Sequence, residues 1–416
     1  MPGPGDTTKR VLTARKREKH RSCWNLCEVS GRVHATAAAL LVLVTIAAAG
    51  CGSGGHRHPA TSGGTTTVEH PPQPAPGSDE HRGALNVYAA DSPGDLSPRL
   101  RGDPALVYVP NSVSDTVDVI SQRTMKVIEQ FPTGSLPQHV TPAWNLKTLY
   151  VDNDLGNSLT PINPRTARPG RPIPVEDPYN LYFTPDGRFA IVVAERLQKL
   201  DFRNPTTMQL IHSLSVPACR GVDHMDFSAD GRYAFASCEF SGRMIEVDLR
   251  TQRVIHTLVL GGGLASPQDV KLSPDGRILY VADQQNGGLW EISPGEFRVI
   301  GFLRTGAGAH GLYPSRDARV MYVSNRAAGT ISVVSFRTRR VVATWVLPAP
   351  ASPDMGGVSA DGRTLWLSGR YNAVVYAIDT VTGRLRARIN VGLGPHGLCV
   401  WPQPGRYSLG HTGIMR

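Results

Sequence analysis

A repeat of 41 to 45 residues, four strand-like runs within each repeat and a composition hostile to long helices together predict an all-β fold, a seven-bladed β-propeller. The chain has 416 residues with 43 Gly and 33 Pro. Neither residue is tolerated well inside helices, so a helix-dominated fold is excluded. A hydrophobic content of 40% is enough to build a core, so the chain is not disordered throughout.

The repeat is anchored on an Asp-Gly-Arg turn followed by an apolar strand. Clear copies are Asp186-Gly187-Arg188, Asp230-Gly231-Arg232, Asp275-Gly276-Arg277 and Asp361-Gly362-Arg363, with Asp317-Ala318-Arg319 a weaker one. Five residues past each Asp stands an apolar or aromatic residue: Ile191, Phe235, Tyr280, Tyr322, Trp366. Degenerate copies at Asn145 (with Tyr150) and Asp103 (with Tyr108) extend the series backwards, giving seven anchors. A period of this length means a propeller or a solenoid. Four short strands per period, as in 268–272, 278–282, 289–292 and 299–303, describe a propeller blade.

The first repeat lacks an inner strand of its own, and the last inner strand, 396–401, has no partners after it. Joining the two gives a three-plus-one closure in which the C-terminal strand completes the blade of residues 106–134. That closure removes two open sheet edges.

Tyr108-Val109-Pro110-Asn111, Tyr150-Val151-Asp152-Asn153, Tyr280-Val281-Ala282-Asp283 and Tyr322-Val323-Ser324-Asn325 resemble the YVTN-type β-propeller repeat over about residues 105–402. The resemblance implies fold rather than function. The family includes surface-layer proteins and binding scaffolds. The propellers of nitrite reductase and nitrous-oxide reductase and the lactone-hydrolysing propellers are more distantly similar. The chain has no Cys-x-x-Cys-His haem motif.

The N-terminus reads as an address. Eight Lys/Arg lie between Lys9 and Arg32, an apolar run extends from Ala35 to Ala49, and Ala48-Ala49-Gly50-Cys51 follows. This is the layout of an export signal. The cysteine after small residues resembles the lipobox of bacterial lipoproteins, which implies cleavage before Cys51 and lipidation of its thiol. Residues 1–50 are therefore expected to be a lipoprotein signal peptide. Residues 51–83 are expected to be a lipidated, disordered linker almost free of large apolar side chains, and 84–416 the propeller. The expected location is the extracytoplasmic face of the cell membrane, with the lipid as anchor and a monomeric propeller beyond it.

The formal charge of +10 is concentrated in the leader, and no dense basic run follows, so nucleic acid is not an expected partner. Nor does the chain contain a Ser-His-Asp signature, a phosphate-cradling loop or a nucleotide-binding βαβ unit.

Candidate site residues are those that enter the innermost strands at one channel end: His139, Asn180, Asp223, His224, Asp269, His310, Asp354 and His396. Imidazole and carboxylate suit a divalent metal, for which His139, His224, His310 and His396 are the candidate ligands. His310 stands one residue out of phase with His139 and His224, which needs a bulge if all are to face one way. Val193-Ala194-Glu195-Arg196 and Ser237-Cys238-Glu239-Phe240 stand where other blades read Tyr-Val-x-Asn/Asp. Glu195 and Glu239 are thereby expected beside Asp223 and His224 as an acidic cluster, with Arg196 and Arg203 as its neutralising partners. Cys219 and Cys238 are candidates for a disulfide, and Cys399 for a buried apolar residue.

The expected function is a membrane-anchored scaffold that binds a small molecule or an envelope protein at the channel mouth. The alternative is a metal-dependent propeller enzyme, a lactonase-like hydrolase or an oxidoreductase, that uses the His/Asp/Glu ring.

Overall fold

The computed structural model describes residues 85–416. The leader, Cys51 and the linker lie outside the described residues. Seven four-stranded antiparallel sheets follow one another around a closed ring of inner strands. Blade 1 joins both ends of the chain: Cys399–Trp401 is its inner strand, followed outward by Leu106–Asn111, Thr116–Ser121 and Lys126–Pro132. Blades 2 to 7 begin with the inner strands Pro137–Pro142, Asn180–Phe183, Val222–Phe227, Pro267–Leu272, Ala309–Pro314 and Pro353–Val358. Apolar side chains pack between neighbouring sheets, for example Tyr182, Phe202, Met225 and Ile245 in one cluster. Among the described residues, no helix is long and apolar enough to cross a membrane.

The turn after each inner strand has a local cause. In blade 3 the Thr184 hydroxyl donates to Asp186 Oδ1 at 2.6 Å, and Asp186 Oδ1 accepts the Arg188 amide at 3.0 Å. Thr184 Oγ1 then accepts the Phe189 amide at 3.1 Å. Ser228, Ser273, Ser315 and Ser359 repeat this with Asp230, Asp275, Asp317 and Asp361. A hydroxyl two residues before the Asp thus belongs to the repeat. The next residue is left-handed, with φ near 70° at Gly187, Gly231, Gly276 and Gly362, a conformation that glycine adopts without steric cost. Ala318 holds the same place at φ 52°. Asp103 does not make such a turn, because the strands it would join come from opposite ends of the chain. It instead accepts the Trp401 indole N–H at 2.9 Å.

The Asn that ends the YVTN-type motif is buried and tethers the following hairpin. Asn153 Nδ2 donates to Ser158 and Thr160 hydroxyls, and Asn325 Nδ2 to those of Thr330 and Ser332. Strand pairing corrects the alignment of the two divergent blades. Val192 pairs Leu181 as Val151 pairs Val140, so Ile191-Val192-Val193-Ala194 and Phe235-Ala236-Ser237-Cys238 are the true equivalents. The offset is two residues, and Glu195 and Glu239 come after the motif, not inside it.

Five inner strands carry a bulge at their channel end. In blade 4, Val222 pairs Cys238 and Met225 pairs Ala236, so Asp223 and His224 together oppose Ser237. Blades 2, 5, 6 and 7 set Gln138-His139, Gln268-Asp269, His310-Gly311 and Asp354-Met355 against one residue each. A bulge re-aims side chains, and this absorbs the one-residue phase difference of His310. The serine opposite the bulge satisfies the freed backbone: Ser237, Ser324 and Ser368 hydroxyls accept the His224, Gly311 and Met355 amides.

Residues flanking the repeats form a cap where the inner strands end. Val87 and Tyr88 hydrogen-bond Pro274 and Leu272 carbonyls, and Arg416 pairs Asp226 at 2.8 Å. The C-terminal tail runs along blade 3 from inside: Phe183 N–H donates to Leu409 O, and His411 N–H to Leu181 O. Gly410 bridges Tyr182.

Candidate metal and ligand site in the channel

The residue immediately after each second strand forms the rim of the mouth. In blade order these are Ser112, Asp154, Glu195, Glu239, Gln284, Arg326 and Arg370. Blades 2 to 4 are acidic and blades 6 and 7 basic, so the rim is electrically divided. Arg196 pairs Asp177 at 2.7 Å and Asp154 at 3.3 Å. Arg203 is not part of this cluster: it is buried against Asp201 at 3.0 Å and the Met208 carbonyl. Arg326 and Arg370 are the cations that oppose Glu239. Arg326 also binds Asp354 through Nε and Nη2, at 3.0 and 2.7 Å.

Asp223 lies deeper, fully buried, with neither carboxylate oxygen hydrogen-bonded. Burial raises its carboxyl well above the ordinary range; Glu239 and Glu195 add to the rise, and Tyr179 opposes it. Burial, with Glu239, Asp154 and Asp177, also raises Glu195, whereas Arg196 opposes. Burial raises Glu239, opposed by Gln268 and the two arginines. Asp223 Oδ1 is 3.1 Å from His224 Nε2. Burial lowers His224 while Asp223 is raised, so the contact is not an ion pair at neutral pH.

Below the rim five imidazoles meet: His139, His224, His310, His396 and His411, none more than 2% exposed. Burial pushes each below the ordinary histidine range, His139 to about 3. All five are therefore neutral and carry a lone pair at pH 7. His139, His224 and His411 offer ligand atoms within 4.8 Å of one another. Their rings are mutually tilted, at 87°, 55° and 66°. Nε2 of His139 and of His411 is buried without a hydrogen-bond partner, and that of His224 faces Asp223 Oδ1.

The opposite nitrogens are held. His139 Nδ1 is 2.8 Å from the Tyr179 carbonyl, which can only accept, so the proton sits on Nδ1 and Nε2 is bare. His224 and His411 Nδ1 both lie 3.1 Å from the Asn180 amide nitrogen, and His411 Nδ1 lies 3.3 Å from Asn180 Oδ1. One side-chain amide thus orients two rings, and because its nitrogen only donates, His224 Nδ1 accepts and the His224 proton sits on Nε2, facing Asp223 Oδ1. Gly397 makes room for the third, since a Cβ there would overlap His139 Cδ2.

His310, Asp354 and His396 form a second group within the same 4.8 Å limit. Asp269 is committed elsewhere: its oxygens accept Val270 N–H, Lys271 Nζ and, from the next blade, Leu312 N–H. It joins blades rather than facing a ligand.

Cys219 and Cys238 form a disulfide, with Cα atoms 4.8 Å apart. The turn that brings Cys219 back donates its N–H to the Val216 carbonyl. Cys399 is a buried free thiol.

His411 was not among the sequence candidates, because it lies outside the repeat and no period points to it. The flanking Gly410 and Gly413 were the available signal. Tyr179, Gln138, Arg326 and Arg370 were also missed, though the last two follow the same second strands as Glu195 and Glu239.

A closed seven-bladed ring with a polar, capped channel defines the class. Over residues 101–404 the chain matches the YNCE-like β-propeller family, and it belongs to that family. No curated protein matches it in sequence. Among solved structures it is similar to Kuenenia stuttgartiensis hydrazine synthase, at 18% identity and a TM-score of 0.55, over 72% of this chain and 94% of that one. It is also similar to a putative 6-phosphogluconolactonase from Bacteroides uniformis, at 17% and 0.55, over 71% and 99%. The dihydro-heme d1 dehydrogenase NirN is similar at 14% and 0.54, over 74% and 76%. At these identities the likeness is one of fold.

Proposed function

We propose that this protein is a membrane-anchored, extracytoplasmic propeller lipoprotein that holds a transition-metal ion in its channel and acts as a binding scaffold through the mouth. One observation carries the metal reading: His139, His224 and His411, all fully buried, each bring a ring nitrogen to within 4.8 Å of the others, and His139 turns a bare Nε2 into that group. An orphaned buried polar group such as the bare His139 Nε2 costs roughly 1–3 kcal/mol, which a bound metal ion would relieve. Outer partners on the second ring nitrogen are the usual support of metal-binding histidines. Neutral imidazoles, with the Asp223 carboxylate beside them, suit Zn, Cu, Ni or Fe. The acidic half of the rim would favour entry of a cation.

The leader and Cys51 support export and anchoring, and the Cys219–Cys238 disulfide fits an oxidising compartment. All three imidazoles have no exposed surface, whereas a catalytic metal keeps a position open to substrate. This favours binding over turnover. The reading as a metal-dependent hydrolase or oxidoreductase draws its support from Asp223, a fully buried carboxyl of raised pKa next to the cluster.

The test is elemental analysis of the processed protein, purified from membranes without a His tag or chelator. Stoichiometric transition metal, lost in His224→Ala without loss of fold, is the expected result. A folded, metal-free wild-type protein that takes up no added metal would sink the reading.

A further inference from the structure

We propose that the channel contains a second metal site, made by His310, Asp354 and His396, adjacent to the trihistidine set. Its ligand atoms come from three consecutive blades around the ring, 6, 7 and 1, and each residue is at most 2% exposed. His310 Nδ1 is 3.1 Å from Asp354 Oδ1 but makes no hydrogen bond. His396 Nε2 is 3.7 Å from Asp354 Oδ2, which has no hydrogen-bond partner. His396 Nδ1 faces Gln138 Oε1 at 2.9 Å. That oxygen accepts the Nδ1 proton and leaves Nε2 bare. A bare ring nitrogen and a bare carboxylate oxygen then face each other with no proton between them, and a cation is what such a pair lacks.

The surroundings fit a ligand set. Arg326 holds Asp354 through Oδ1, the oxygen that also faces His310, and leaves Oδ2 toward His396 without a hydrogen bond. Gln138 holds His396 as the Tyr179 carbonyl holds His139. Two imidazoles and one carboxylate select Fe²⁺, Mn²⁺ or Zn²⁺. The first site is richer in nitrogen, so the two differ in preference. The groups abut: His139 and His396 ring centroids are 4.8 Å apart, and those of His224 and His310 are 6.1 Å apart. Two ions here would form a paired centre, with Asp223 beside it.

The experiment is titration of metal-stripped, full-length protein with Co²⁺, followed by visible absorption and equilibrium dialysis. Wild type should saturate at two equivalents per chain. Asp354→Asn should remove one and leave the other, and His224→Gln should do the reverse. His310→Gln leaves the Arg326–Asp354 pair intact and serves where Asp354→Asn disturbs folding. It should weaken the second equivalent by more than the 10–100-fold typical of a residue that only supports a ligand. A wild type that saturates at one equivalent, unaffected by Asp354→Asn and His310→Gln, would overturn the second site and leave the first standing. No uptake at all would remove both. Two equivalents that survive Asp354→Asn and His310→Gln together would place the second ion elsewhere and also refute the proposal.

Discussion

Replacing Gly410 by Ala should detach the C-terminal tail and with it a metal ligand. Gly410 has φ 99°, and a Cβ there would overlap the Leu181 carbonyl and stand 2.6 Å from Tyr182 Cα. The obstacle is backbone, so no rotamer change relieves it. Forcing the alanine into a positive-φ conformation costs about 1–2 kcal/mol. If the tail instead lifts away, the bonds Phe183 N–H to Leu409 O (2.9 Å) and His411 N–H to Leu181 O (2.8 Å) are lost. Each is worth about 1 kcal/mol. The stacking of His411 on Tyr182, with centroids 5.8 Å apart, adds roughly another 0.5–1 kcal/mol. The second route sums to about 2.5–3 kcal/mol, and the first reaches about 2–3 kcal/mol once the overlap with the Leu181 and Tyr182 backbone is added. For about 330 residues that unfold together, the unfolding entropy is about 0.7 kcal/mol/K, so the melting temperature should fall by about 3–4 °C. The assay is calorimetry in chelator, which isolates the tail from the metal, followed by metal uptake on the same variant. His411→Gln serves as the comparison: it keeps the backbone bonds and should lose metal with a smaller fall in melting temperature. A Gly410→Ala protein that melts within about 1 °C of wild type and binds metal normally would show that the tail is not seated on blade 3.

Two further outcomes are expected. Ala318→Gly should raise stability by about 0.5 kcal/mol, since it relieves the only non-glycine left-handed turn among the five Ser/Thr-x-Asp turns, less the entropy that glycine adds to the unfolded chain. Urea unfolding reads this directly, and a lower midpoint would contradict it. The metal-free protein should lose stability as pH falls from about 6.5 toward 3, because His139 is held neutral in the fold at a pKa of about 3 and is protonated on unfolding. In His139→Gln the slope of unfolding free energy against pH in that window should fall by up to one proton, about 1.4 kcal/mol per pH unit. An unchanged slope would mean that His139 is not the neutral buried group described here.

Much of the fold was legible because its causes are short-range. The hydroxyl, Asp and left-handed residue of each turn lie within four positions, and the buried Asn tethers side chains only five and seven residues on. Such patterns recur once per blade and can be counted without a structure. The closure was legible as well, because an inner strand with no partners and three strands with no inner strand leave one economical solution. The candidate histidines could be found for the same reason, since each occupies an equivalent place in its repeat.

The tertiary structure decided what the ring does with them. Whether Asp223 and His224 both reach the channel depends on a bulge that only the strand pairing reveals. Asp269 stands at the same repeat position as the ligand candidates, yet an amide of the next blade claims it. The five-residue spacing already put Ile191 and Phe235 at the motif's first position, and strand pairing confirms that Glu195 and Glu239 follow the motif. His411 belongs to no repeat and meets Asn180 across 231 residues of chain. Periodicity specifies a blade, because a blade is held together by its own neighbours. The centre of the ring gathers groups from different blades that lie far apart in sequence, so only the closed structure determines which of them meet.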